Sequence, residues 1–147
     1  MRLMPVIAPS ISLLACLQFF PPAIHADNHQ DIVDLFANMT ASLSEDNADG
    51  FMKGFDRNMP GYSDLKRQIT GLLLDYTISS SVEPISDQVQ GAKHSLDLDW
   101  YMELTSRVET GPTHRRRKVI HCELEMEGKH WRILSLKPLS FFSDKDE

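Results

Sequence analysis

The sequence predicts an α+β domain in which N-terminal helices pack into the concave face of a strongly curved antiparallel sheet. Three observations carry this reading. Apolar residues recur at helical spacing from Ile32 to Tyr76, the period changes to two from Thr77 onward, and short turn-forming stretches separate the alternating segments. A block of helices followed by hairpin-linked strands is a layered α+β arrangement rather than an alternating α/β one.

The chain of 147 residues carries 15 Lys+Arg against 21 Asp+Glu, a net charge of -6. That length suits one domain. With 41% hydrophobic and 24% charged residues, the composition is that of a globular protein and not of a disordered polyampholyte. Residues 1–26 read as an export signal outside the fold. Arg2 is followed by an apolar or neutral stretch from Leu3 to Phe20, and Pro21-Pro22-Ala23-Ile24-His25-Ala26 offers an exit after Ala26. Pro5, Pro9, Ser10 and Gln18 make the stretch a poor membrane-spanning helix. A competing exit is Leu13-Leu14-Ala15-Cys16, the pattern in which the cysteine is lipidated, although Leu17, Phe19 and Phe20 do not make a polar tether. Either exit, or an uncleaved anchor, places the domain 27–147 outside the cytoplasm. Once cleaved, it would be periplasmic or secreted, and held at a membrane only if lipidated at Cys16. An acidic domain without a dominant basic face is not expected to bind nucleic acid. Residues 27–147 retain one cysteine, Cys122, so no disulfide can close within them, and its place on an apolar strand face predicts burial.

The elements follow in order. Asp27 and Asn28 are candidate caps for a helix starting near Gln30, with Ile32, Leu35, Phe36, Met39 and Leu43 on one face. Asp49-Gly50 interrupts it, and Phe51 to Phe55 reads as a short helical turn. Arg57-Asn58-Met59-Pro60-Gly61 is a loop by its turn residues. Ser63 is a candidate cap for a third helix, whose Leu65, Ile69, Leu72, Leu73 and Tyr76 face one way. Thr77–Val82 reads as a short strand and Ile85–Gln90 as a second. From His94 to Thr105 the alternation is clear: Leu96, Leu98, Trp100, Met102 and Leu104 take one face, and Ser95, Asp97, Asp99, Tyr101 and Glu103 the other. After the loop Glu109–Thr113, a further strand sets Ile120, Cys122, Leu124 and Met126 against His121, Glu123, Glu125 and Glu127. Gly128-Lys129 turns the chain into a last strand with Trp131 and Ile133 on one face and Leu134 and Leu136 on the other. Apolar residues on both faces predict cover on both sides, hence a homodimer through the sheet.

The order of long helix, short helix, Tyr-Ser-Asp-Leu helix and long hairpins resembles the nuclear transport factor two-like superfamily. The closing run Glu125-Met126-Glu127-Gly128-Lys129-His130-Trp131-Arg132-Ile133, with Phe141-Phe142 after it, is its most specific part. The resemblance covers residues 29–142 and implies a cone of sheet wrapped around helices. It also implies that the apolar sheet face lines a cavity. That face presents Leu96, Leu98, Trp100, Met102, Ile120, Cys122, Leu124, Trp131 and Ile133, a wall suited to a small apolar ligand. The superfamily holds isomerase-like and dehydratase-like enzymes as well as pure binding modules, so the fold does not settle the function.

His94 is the one ionisable residue in phase with the apolar face and is the candidate base for acid–base catalysis. Asp75 and Tyr76 could reach the cavity mouth. The aspartate–tyrosine–acid set of the isomerase-like enzymes converges nowhere in this sequence. Asp97, Asp99, Tyr101, Glu103, His121, Glu123 and Glu125 form a solvated outer face without calcium-loop spacing. His121 and Cys122 point to opposite faces and cannot share one zinc. Arg115-Arg116-Arg117-Lys118 is the densest basic run, either a contact for an acidic partner or a hairpin tip paired to Glu103 or Glu109. No phosphate loop, Gly-x-Ser-x-Gly elbow or Cys-x-x-Cys is present. The expectation is an exported, non-catalytic binding or interaction module, dimeric, with no cofactor and no metal. The alternatives are an isomerase- or dehydratase-like enzyme acting on a small hydrophobic substrate, or a structural cell-envelope protein.

Overall fold

The computed structural model describes residues 24–145. Cys16 and the apolar stretch of the expected signal lie outside them. Three helices, α1 (Ile24–Ser44), α2 (Ala48–Met52) and α3 (Tyr62–Asp75), precede four strands, β1 (Tyr76–Gln90), β2 (Lys93–Ser106), β3 (Thr113–Glu127) and β4 (His130–Lys137), and a 3-10 turn, Leu139–Phe142. The strands form one antiparallel sheet in the order β1-β2-β3-β4.

No Gly or Pro interrupts α1, so it runs through Asp27 and Asn28 instead of being capped by them. Ile32, Phe36, Met39 and Leu43 form its buried stripe. Asp46 then takes a left-handed conformation (φ 58), and the Asn47 side chain accepts from the Gly50 N–H at 2.8 Å to cap α2. The cap of α3 is Gly61 rather than Ser63. Its φ of 81 makes the turn out of Pro60, and a Cβ there would lie 2.5 Å from Leu139 Cδ1. The Arg107 side chain donates to the Leu73 carbonyl at 3.1 Å, placing a cation over the last turn of α3.

Two bulges shape the sheet. Thr77–Val82 and Ile85–Gln90 are one strand, β1, whose register slips between Pro84 and Ser86. Ile78, Ser80, Val82 and Pro84 face the helices before the slip. Ile85 is the extra residue, and Asp87 and Val89 face them after it. The second slip lies between Glu123 and Leu124 of β3, where Leu134 is the extra residue of β4. It returns Leu136 to the same face as Trp131 and Ile133, and all three are buried. The doubly apolar pattern of the last strand therefore comes from a bulge. Backbone bonds from the Ile133 N–H to the Gly54 carbonyl (2.8 Å) and from the Asp56 N–H to the Ile133 carbonyl (2.9 Å) seal part of the β4 edge.

Candidate functional site

All nine residues expected to wall a cavity lie on the helix-facing side of the sheet and join one hydrophobic core. Trp100 is its centre. The side chain is 0% exposed, with ring centroids of Phe142 at 5.0 Å, Phe36 and Phe51 at 6.3 Å and Phe141 at 6.4 Å. Its indole N–H donates to Ser80 Oγ at 2.8 Å, and that hydroxyl donates on to the Tyr101 carbonyl at 3.0 Å, so the polar atoms carried into the core are satisfied. Leu98, Met102, Ile120, Leu124 and Ile133 are equally enclosed, as are Leu96 and Cys122 to within a few per cent. Burial pushes the Cys122 thiol far up, which keeps it neutral and unreactive. The middle of the cone is thus filled by the protein's own side chains.

At the mouth of the cone, polar groups turn inward. His94, 8% exposed, places Nδ1 3.0 Å from both carboxylate oxygens of Asp87, to which the ring N–H donates. The bulge at Ile85 creates this pair. With unbroken alternation, Ser86 and Gln88 would face inward and Asp87 would face out, which is why the sequence reading found His94 and missed Asp87. His94 packs edge-on against Trp131, with centroids 4.9 Å apart and planes at 83°. Trp131 is 7% exposed, and its indole N–H has no acceptor among the described residues. The histidine of this contact is buried, whereas the Asp87 side chain is 30% exposed; the contact orients the ring and is the minimum for a general base, but no third group completes a catalytic set here.

Trp131 is the one of the nine expected wall residues that also borders an open cleft at this end, of about 510 Å³. Asp31, Asp34, Asn38 and Ser42 line one wall, set on one side of α1 by spacings of three and four. Lys53, Lys129, His130 and Arg132 line the other, the last three delivered by the tight turn at Gly128 (φ 61). Leu35, Met39 and Trp131 are the cleft's apolar lining, with Met39 and Trp131 only 1% and 7% exposed. Lys53, His130 and Arg132 also border a second cleft of about 820 Å³ that runs on past Phe55 and Tyr62. Asp75 and Tyr76 stand elsewhere, at the end of α3, with the Tyr76 ring 6.1 Å from His114.

The outer face carries the charges the alternation assigned to it. Arg115 donates to Glu103 at 2.9 Å, and Arg117 donates to both oxygens of Asp99 at 3.0 and 2.6 Å. The Arg117 hydrogen bonds hold the Asp99 carboxyl below the usual range, and those from Arg115 and then Tyr101 do the same for Glu103. His121 pairs with Asp97 directly across the strands. The basic run is therefore divided between faces. Arg115 and Arg117 lie outside, while Arg116 donates inward to the carbonyls of Phe141 (3.0 Å) and Ser143 (2.6 Å) and fastens the C-terminal turn. Among the described residues no group of three or more His, Cys, Asp or Glu side chains is placed to hold a metal ion.

No family model and no curated protein matches the chain. Solved structures do. A nuclear transport factor 2-like superfamily protein from Salmonella enterica serovar Typhimurium aligns with TM-score 0.62 at 14% identity, over 76% of this chain and 89% of that one. The chain has the nuclear transport factor 2-like fold. A scytalone-dehydratase-like protein from Novosphingobium aromaticivorans shares that fold with TM-score 0.69 at 10% identity, over 76% of this chain and 83% of that one. So does a hexachlorocyclohexane dehydrochlorinase, with TM-score 0.60 at 13% identity over 76% and 84%. The nuclear transport factor 2-like fold thus serves enzymes as well as proteins named only for the fold, and the chemistry must be argued from this chain's own residues.

Proposed function

We propose that this protein is an exported, non-catalytic binding module that holds a small, partly apolar ligand at the mouth of its cone. The observation that supports this is the division of the helix-facing surface. The middle, where the wall residues Leu98, Trp100, Met102, Ile120, Leu124 and Ile133 stand, is packed solid, whereas the cleft over Trp131 is open and has an apolar floor between polar walls. Export rests on the sequence of residues 1–26. No described helix is long and apolar enough to cross a membrane. The dimer is no part of the proposal, because the bulge at Leu134 accounts for the pattern that suggested it.

The test is a titration of the exported protein with a small-molecule library, followed by amide and indole NMR. Shifts should gather on Asp31–Ser42, Lys129–Arg132 and the Trp131 indole. Shifts confined to the outer sheet face would sink the proposal.

A second reading has one observation in its favour, the Asp87–His94 contact. On that reading the protein is an acid–base enzyme with His94 as base and Asp87 orienting it. It predicts turnover of a small hydrophobic substrate by elimination or isomerisation, lost in His94→Gln. Retention of turnover in that variant would end it.

A further inference from the structure

We infer that the mouth cleft takes a small zwitterion with an apolar side chain, a free α-amino acid or short peptide; this rests on the binding-module reading above. The two walls carry opposite charges that do not neutralise each other. Asp31 makes no ion pair or hydrogen bond among the described residues, and Asp34 accepts only from the Gln30 side chain at 2.8 Å. Across the cleft, Lys53, Lys129 and His130 form no ion pair among the described residues. Arg132 is held at its own wall by Glu127 (3.6 Å) and the Lys53 carbonyl (2.8 Å).

A cleft with a carboxylate wall facing an ammonium and guanidinium wall sets up a field across the gap. A singly charged ligand is attracted to one wall and repelled by the other. A molecule with an ammonium at one end and a carboxylate at the other gains at both, and in one orientation only: ammonium toward Asp31 and Asp34, carboxylate toward Lys53 and Lys129. The floor of Leu35, Met39 and Trp131 then meets an apolar side chain. The Trp131 indole N–H is buried without an acceptor among the described residues, and Trp131 borders the cleft, so the indole resonance reports on its occupation. The volume of about 510 Å³ falls within the range of small-molecule sites.

The test uses the full exported protein and four probes: L-leucine, L-leucyl-L-leucine, N-acetyl-L-leucine (no ammonium) and L-leucinamide (no carboxylate). Affinity is read by calorimetry, and the place of binding by the Trp131 indole resonance. One or both zwitterions should bind, and each singly charged analogue should bind about tenfold or more weakly, as loss of one charge-assisted contact implies. Asp31→Asn with Asp34→Asn should remove the advantage of leucine over N-acetyl-leucine without changing the fold, since both side chains are on the exposed side of α1. An analogue binding in the cleft as tightly as the zwitterions would overturn the inference and leave the binding module standing. Chemical conversion of a probe would overturn the non-catalytic reading and leave the zwitterion preference standing. An unmoved indole resonance with all four probes would overturn the inference.

Discussion

Two aspartate–histidine pairs stand on opposite faces of the same sheet, and they differ most in how deeply the histidine is buried. Asp97 and His121 face each other in register across β2 and β3, on the outer side, with side chains 39% and 70% exposed. Asp87 and His94 lie on the helix side, joined diagonally across β1 and β2, with side chains 30% and 10% exposed and the histidine walled by Trp131, so the two pairs differ chiefly in the burial of the imidazole. Water can replace either partner in the outer pair. In the inner pair the ring N–H has few other places to go. Burial, and not the identity of the residues, decides which pair carries free energy and which merely decorates a surface.

The sharpest way to break the contrast between the faces is to empty the inner one. Trp100→Ala removes a 0% exposed indole, its four aromatic neighbours' contacts and the partner of Ser80. Urea unfolding should show a loss of about 3–5 kcal/mol, the scale of large aromatic truncations in cores. A loss below about 1 kcal/mol would mean that the middle of the cone is not close-packed and that the cavity expected from the sequence exists after all.

The next comparison sets the two pairs against each other. Asp87→Ala leaves the buried His94 N–H without its acceptor and should cost about 1–3 kcal/mol. Asp97→Ala strips a partner from a solvated imidazole and should stay within about 0.5 kcal/mol of the parent. Equal effects in the two variants, read from urea midpoints at neutral pH, would show that the inner pair is no more desolvated than the outer. A smaller effect sharpens the account of the core itself. Ser80→Ala orphans the Trp100 indole N–H and should cost about 1 kcal/mol or somewhat more, while leaving the near-ultraviolet signature of the tryptophan in place.

Where alternation is unbroken, the sequence was readable. Leu96 through Leu104 on β2 and Ile120 through Leu124 on β3 sit on the face their period assigned to them, and Asp99 and Glu103 sit on the other. The helical stripes of α1 and α3 were equally legible, because burial on one side imposes the period. The mouth was not. One inserted residue at Ile85 and one at Leu134 each flip every later side chain of their strand, and neither leaves a signal that local pattern can separate from a strand break. Glu83-Pro84 looked like the gap between two strands, and Leu134/Leu136 looked like a second buried face. The cleft walls were hidden for another reason. Asp34, Asn38 and Ser42 fall on the side of the helix away from its apolar stripe, and only the tertiary fold brings them and Asp31 to one cleft with Lys53 and Lys129.

The outer face offers the finest comparison, through pH. The Asp99 carboxyl is held below the ordinary aspartate value of about 3.9 by hydrogen bonds from Arg117, and the Arg117 guanidinium is correspondingly raised. A carboxylate depressed in the folded state contributes stability that is fully present above its unfolded value and is lost as pH falls through its folded value. Arg117→Ala should therefore let Asp99 titrate in the ordinary range, seen by carboxyl NMR, and should bring the acid limb of the unfolding curve to a slightly higher pH. At neutral pH its midpoint should move less than that of Ser80→Ala, because both side chains are open to water and salt. If Arg117→Ala instead proves as damaging as Asp87→Ala at neutral pH, the outer face is covered by something in solution. The contrast between the two faces of the sheet would then be one of partners rather than of exposure.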